Sequence, residues 1–330
     1  MPDLWSFDDV CDASDAEERS LLMGNGFSIA CTQSFDYRKL LHKADFRGQG
    51  RSRRMRKLFK GAETSDFETV VRRLEESAAT VGLYPNASPL VRRMTKDALV
   101  VRHGLAGAVA QVHPRRIGDV GDTRLDQCNT FLQGFSQLFT LNYDALLHWA
   151  RMRDPDPFDD GFRRREDRLL HDALDQQKVF WLHGALHLRE DGWSGDEPAT
   201  VKATWADNGP LIDYVREAIE DGEYPLVVTE GTWKQKIRTI RRSPYLSWCF
   251  ERMRATSGTL VTLGWGMKGN DEHIVAAIAG SGVSNFYLGV RPGASTIELA
   301  QLKAAGDVLR ARSGNRLSVR LWDTGTAAVW

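Results

Sequence analysis

Short apolar runs punctuate this chain, and stretches with helical spacing separate most of them. They fall at 138–141, 179–182, 225–229, 259–263, 285–290 and 317–322, and Leu21-Leu22-Met23 makes one more near the N-terminus. Runs this short suit strands buried on both faces, and their alternation with helical patterns predicts a mostly parallel sheet with helices on either side. Residues 1–20 are acidic and read as an edge helix or arm; residues 20–40 read as strand, glycine turn, helix.

Between the first and second strands the pattern changes. Residues 65–135 look helical throughout. Ser65 and Glu68 have capping-box spacing. Ser88-Pro89 reads as an N-cap followed by proline in the first turn. Val91, Met94, Ala98, Val101 and Leu105 then recur at helical intervals. The expected fold class is therefore α/β, a doubly wound, mostly parallel sheet built from residues 1–40 and 136–330, with an inserted helical layer at 41–135. Within that layer, 43–60 is basic, glycine-containing and weakly periodic, which predicts a mobile surface loop. The polar stretch 154–178 reads as a surface excursion, and 184–208, with Trp193 and Trp205, as a hairpin or flap.

Three strand ends carry chemistry. Leu21-Leu22-Met23 runs into Gly24-Asn25-Gly26-Phe27-Ser28, Leu138 to Leu141 into Asn142-Tyr143-Asp144, and Val179 to Leu182 into His183-Gly184. In open α/β sheets, nucleotides and their reacting groups meet at strand ends. Two glycines permit a tight turn and a close approach to phosphate at a helix start. Asn142 can donate and accept, holding a water or a carboxamide. Asp144 serves equally well as a helix cap. An imidazole at a strand end, as at His183, suits proton transfer near neutral pH. Of the other seven histidines, only His273 shares something of that setting.

Composition narrows the classes. Of 330 residues, 42% are hydrophobic and 27% charged, as in ordinary globular chains. Lys+Arg and Asp+Glu both number 44, so no net charge draws the chain to nucleic acid or an anionic membrane. No apolar run nears the roughly 20 residues a spanning helix needs. The N-terminus lacks the basic-then-apolar pattern of a signal peptide. Four scattered cysteines without a CxxC pair fit a reducing cytoplasm and argue against a cysteine zinc site, so no metal is expected.

Taken in order, these motifs resemble the sirtuin-like family in its zinc-free bacterial branch, over roughly residues 20 to 290. Gly24-Asn25-Gly26-Phe27-Ser28 is similar to the family's GAG-x-S phosphate turn, with Asn for Ala. Phe35-Asp36-Tyr37-Arg38 looks like its P-D-F-R segment without the proline. Thr140-Leu141-Asn142-Tyr143-Asp144 resembles T-Q-N-x-D, and Leu182-His183-Gly184 matches L-H-G. Thr259 to Leu263, followed by Gly264-Trp265-Gly266 and Asn270-Asp271, looks like the late strand and turn on the adenosine side. Thr229-Glu230-Gly231 and Asn270 to Ile274 also resemble an uncharacterised bacterial group in that branch. Only Cys249 follows the L-H-G motif, so the four-cysteine zinc module of protein deacylases is missing.

The resemblance implies a Rossmann-like fold and NAD as substrate. Its nicotinamide–ribose bond would be cleaved to nicotinamide and ADP-ribose, in many bacterial cases by a gated defence effector that depletes NAD during phage infection. By that resemblance His183, Asn142 and Asp144 are catalytic. Gly24, Asn25, Gly26 and Ser28 cradle pyrophosphate, and Gly264, Gly266 and Asp271 border the adenosine. Asp36 and Asp144 are candidates to stabilise positive charge or to orient the amide, and Arg38 pairs with a phosphate or with solvent. The expected partners are NAD and either further copies of the chain or an activating protein. The alternatives are a non-catalytic NAD or ADP-ribose sensor, nucleic-acid binding through 43–60, and hydride transfer. The last lacks the usual acidic residue about 20 positions beyond the glycine turn.

Overall fold

A computed structural model describes residues 4–46, 49–166, 168–194, 197–203, 210–229 and 232–330; side chains at 37–38, 49–50, 191–194 and 197–198 are likewise left aside. Arg47, Gly48, Trp205, Glu230, Gly231 and the side chains of Arg38 and Trp193 therefore lie outside the described residues. In chain order the strands are β1 (Arg19–Met23), β2 (Gln137–Thr140), β3 (Phe162–Arg165), β4 (Arg168–His171), β5 (Val179–Trp181), β6 (Leu188–Ser194), β7 (Glu197–Lys202), β8 (Ser257–Leu263), β9 (Gly282–Val290) and β10 (Ser318–Asp323).

Six of them form one all-parallel sheet in the order β10-β9-β8-β1-β2-β5. Every residue of β1, and most of β8 and β9, is buried. That is why these strands read as unbroken apolar runs rather than alternating ones. Ranked by first appearance within this sheet, the spatial order is 3-2-1-4-5-6, so the winding direction reverses between β1 and β8. This is the Rossmann-like doubly wound arrangement, and the crevice beyond that reversal is where such sheets take their ligands. The outer strand β10 is covered by the N-terminal arm: Trp5 donates to the Leu321 carbonyl and accepts from Asp323, shielding an edge that would otherwise stay unpaired.

The connection from β1 to β2 carries the helical layer. Helices Phe67–Val81 and Ser88–Val112 pack together through Val70, Val71, Leu74, Ala98, Val101 and Leu105, all buried at three- and four-residue intervals. The cap at the first helix differs from the sequence expectation. Asp66 accepts from the Glu68 N–H, and Glu68 itself turns inward. The second helix starts one residue early, with Ala87 as N-cap and Ser88 inside the helix.

Three other expectations need correction. The basic stretch 43–60 is no loop over its described C-terminal part but helix Gln49–Gly61. Met55 and Phe59, four apart, are buried, and Phe59 meets Phe67 edge-on at 4.9 Å while Arg51, Arg53, Arg56 and Lys57 stay exposed. Two apolar side chains per two turns sufficed to dock it, too few to register as periodicity. The excursion at 154–178 is partly built in. Its β3 and β4 join the β6–β7 hairpin in an antiparallel sheet ordered β3-β4-β7-β6, anchored by buried Asp160 between Arg151 and Lys202. The run 225–229 is not a strand. It makes a single bridge, Val227 to Gly184, and lies along the residues after β5. Among the described residues, no helix is long and apolar enough to cross a membrane.

Candidate active site at the strand-order reversal

The three motif-bearing strand ends are neighbours, because β1, β2 and β5 are adjacent in the sheet. Beyond them opens a cleft of about 340 Å³ lined by Gly24, Asn25, Gly26, Asn142, Asp144, His183, Gly264, Gly266 and Asp271, among others. The carboxamide of residue 142 and the imidazole of residue 183 thus share one crevice with the glycine turn. Ser28 lies directly behind it, bonded to Asn142 and Asp144. Asp36 ends the short turn Gln33–Phe35 and does not line the cleft.

The glycine turn is held differently from a phosphate cradle. The Gly24 N–H donates to the Leu263 carbonyl and the Gly26 N–H to the Gly264 carbonyl, each at 2.9 Å. A Cβ on Gly26 would lie 2.5 Å from the Gly264 Cα, and one on Gly264 equally close to Gly26. These glycines first of all let the turns after β1 and β8 interlock, and two of the turn's N–H groups are spent on that contact. Gly184 has its own reason: its φ is +74°, and a side chain would collide with the Leu226 carbonyl, which accepts from Ala185.

Behind the turn, Asn142 donates to the Gly24 carbonyl at 3.0 Å and to the Ser28 hydroxyl at 2.8 Å. Its amide hydrogens are therefore used, and its carbonyl oxygen is the atom left for a ligand. Ser28 donates to Asp144 at 2.5 Å, and Asp144 also caps the following helix through the Leu146 N–H. Burial raises the Asp144 carboxyl above its usual range, against those two hydrogen bonds. Asp144 thus acts chiefly as a cap and brace.

Facing it is a network the motifs did not reveal. Lys236, from helix Trp233–Arg242, is 1% exposed and pairs with Glu68 and Asp271, both at 3.0 Å. Glu68 also accepts from Tyr143 at 3.2 Å and from Asn270. Asp271 also accepts from the Trp265 indole at 3.1 Å. Burial works against the Lys236 charge, but the two carboxylates outweigh it and hold the ammonium above its ordinary range. Burial alone would raise Asp271; Lys236 foremost brings it down to about 2. Glu68 stays above the usual range, because burial, Asp271 and Asp66 together outweigh the same lysine. The single ammonium favours Asp271 over Glu68.

His183 lies against this network. Its Nε2 is 2.9 Å from the Nε2 of His273, the second residue of helix Glu272–Gly280. Burial, then Lys236 and His273, hold His183 well below the ordinary imidazole range. Burial brings His273 to about 4, with Asp271 opposing. Both rings are neutral at pH 7. His183, His273 and Asp271 each place a donor atom within 4.8 Å of the others, close enough to share a cation. Both Asp271 oxygens are committed, however, and the Lys236 ammonium already supplies positive charge beside it.

Sequence reasoning missed Glu68, Tyr143 and Lys236. Lys236 left a signal: it shares the buried side of its helix with Ile240, four residues on. A lysine on an apolar stripe implies a buried partner of opposite charge.

With this geometry in view, residues 21–330 match the family described as a domain of unknown function, DUF4917. The chain belongs to that family. No curated protein matches it.

Proposed function

We propose that this DUF4917 protein hydrolyses the nicotinamide–ribose bond of NAD. The observation that carries the reading is the shared cleft: Asn142, His183 and the glycine turn meet at the strand-order reversal of a doubly wound sheet. The bond breaks through a state with positive charge on the ribose, and nicotinamide leaves neutral without a general acid. Four carboxyl groups line the cleft (Asp66, Glu68, Asp144 and Asp271) against Lys236 and Lys268. Such a surround favours developing positive charge. Water adds to the anomeric carbon as the C–N bond breaks, and its proton goes to the neutral His183. The Asn142 carbonyl oxygen orients that water or the carboxamide.

A binding-only site is the second reading. It is favoured by the glycine-turn N–H groups and the Asn142 amide being tied to the protein itself. The test is product analysis of purified protein with NAD, following nicotinamide and ADP-ribose by chromatography. Cleavage is expected in the parent. A loss of about 10²–10⁴ in rate is expected in His183→Ala, and a loss of the same order in Asn142→Ala, with both variants folded. Binding without product favours the second reading. Undiminished nicotinamide release by His183→Ala refutes the mechanism.

A further inference from the structure

Helix Gln49–Gly61 has no part in the cleft, yet it carries six basic residues and no acidic one. Arg54 pairs with buried Asp97 on helix Ser88–Val112. Arg53, Arg56, Lys57 and Lys60 are exposed, and at helical spacing they fall within about 100° of arc over about 10 Å of axis. Met55 and Phe59 occupy the opposite side and are buried. Arg56 touches the Leu41 carbonyl at 3.4 Å, but none of the four meets a carboxylate among the described residues.

Such a stripe works against its own helix. Like charges three and four positions apart repel, and Arg53 with Lys57 and Arg56 with Lys60 are both pairs of this kind. The surrounding layer does not compensate. From residue 41 to 112 Lys+Arg number 14 and Asp+Glu seven, in a chain whose totals are equal. Four of those acids are already committed: Asp66 caps its helix, Glu68 pairs with Lys236, Glu75 with Arg102 and Asp97 with Arg54. The neutral chain therefore presents a locally cationic face. At physiological salt, exposed charges more than about 8 Å away barely offset it.

We propose that this stripe binds the phosphate backbone of a nucleic acid. Cations in a row are what such binding requires, and phosphate contacts carry no sequence information, so the binding is sequence-independent. A protein partner would need an anchor, and helix Gln49–Gly61 exposes no large apolar side chain to supply one. A membrane surface would need the apolar side of the helix, which is packed inward with Phe59 against Phe67.

The experiment is fluorescence anisotropy of the full chain with mixed-sequence duplex DNA, single-stranded DNA and single-stranded RNA. The order of the three affinities identifies the strand type. Four phosphate contacts predict that affinity falls about 50–150-fold between about 50 and 200 mM salt. Combining Arg53→Gln, Arg56→Gln, Lys57→Gln and Lys60→Gln should flatten the salt slope by about one per residue and weaken binding at least about tenfold at the lower salt. A charge-matched control that removes the exposed Arg164, Lys178, Lys303 and Arg310 in the same way should bind like the parent. Circular dichroism checks that both variants fold; if the first does not, Lys57→Gln and Lys60→Gln singly should each flatten the slope by about one.

Absence of binding at the lower salt overturns the proposal, as does a stripe variant that binds no worse than the control. So does a parent that binds polyglutamate or phosphatidylserine vesicles as tightly as the best nucleic-acid probe, since the surface would then serve an acidic protein or a membrane. A salt-sensitive dimer in analytical ultracentrifugation that the stripe variant abolishes also overturns it, in favour of a second copy of the chain. The readout does not involve NAD, so this surface and the proposed function fail separately.

Discussion

Replacing Lys236 by Met tests whether the cleft is built on buried charge. Methionine keeps the length and apolar stem of lysine and removes only the ammonium. In the parent that ammonium is 1% exposed and compensates two carboxylates at 3.0 Å, Glu68 at 6% and Asp271 at 14% side-chain exposure. Each contact is worth about 5 kcal/mol of raw attraction at an effective dielectric of about 20, but desolvation of three charges offsets much of it. Breaking such a pair from one side typically costs about 3–5 kcal/mol, because the abandoned charge stays buried. For a chain of this size that is a fall in Tm of about 4–7 °C.

The pH dependence carries the sharper signature. In the parent, Asp271 is depressed to about 2, so its stabilisation is in full force above the ordinary carboxylate range near about 3.9 and is lost only as pH falls through about 2. Without Lys236, both carboxyls lose the term that kept them ionised, and acid neutralises them sooner. The deficit of Lys236→Met should therefore shrink as pH falls from 7 towards about 5. Adding Glu68→Gln should recover about half of it at pH 7, since the amide carries no charge, its oxygen can keep the Asn270 contact, and its NH2 can donate to the Tyr143 hydroxyl, which has the Val228 carbonyl as its own acceptor. Thermal unfolding followed by circular dichroism at both pH values reads all three numbers. A deficit under about 1 kcal/mol at pH 7, or one that does not change with pH, refutes the argument.

Two further outcomes follow from the same structure. Gly26→Ala should cost about 1–3 kcal/mol by overpacking against the Gly264 backbone. Gly266→Ala, whose Cβ meets nothing within 4 Å, should stay within about 0.5 kcal/mol; equal Tm values for the two would deny the interlock. Acid should also destabilise the parent well before its carboxylates titrate. Burial lowers His113, His148, His171, His183, His187 and His273, with His113 and His273 at about 4. The unfolded chain takes up protons at these sites near about pH 6.5 while the folded chain does not, so stability falls as pH drops from about 6.5 towards 4. Calorimetry between pH 7.5 and 4.5 checks this, and a flat Tm would contradict it.

What was legible in this sequence and what was not divide along physical lines. A buried parallel strand needs apolar residues on both faces, so β2, β5, β8, β9 and β10 stood out as runs, and their polar ends marked the rim of the cleft. The helical layer was legible because Ala98, Val101 and Leu105 serve one packing face. Glu68 was not, since its spacing from Ser65 satisfies a local capping rule; only the fold reveals that its partner lies 168 positions away at Lys236. The glycine turn was legible as a turn but not in its partner: read locally, Gly24 and Gly26 free the backbone for a phosphate, and in the fold their own N–H groups go to the end of β8 and the turn after it. Local rules identify residues with unusual freedom or chemistry; the partner that uses it comes from elsewhere in the chain. The same step applies to function. His183 has its Nε2 partner in His273, 90 residues on, and Lys236 and Asp271 set the charge around it. What this cleft does to a bound molecule is therefore a property of those long-range pairs, and substitutions within them, rather than in the glycine motif, are the decisive probes of its chemistry.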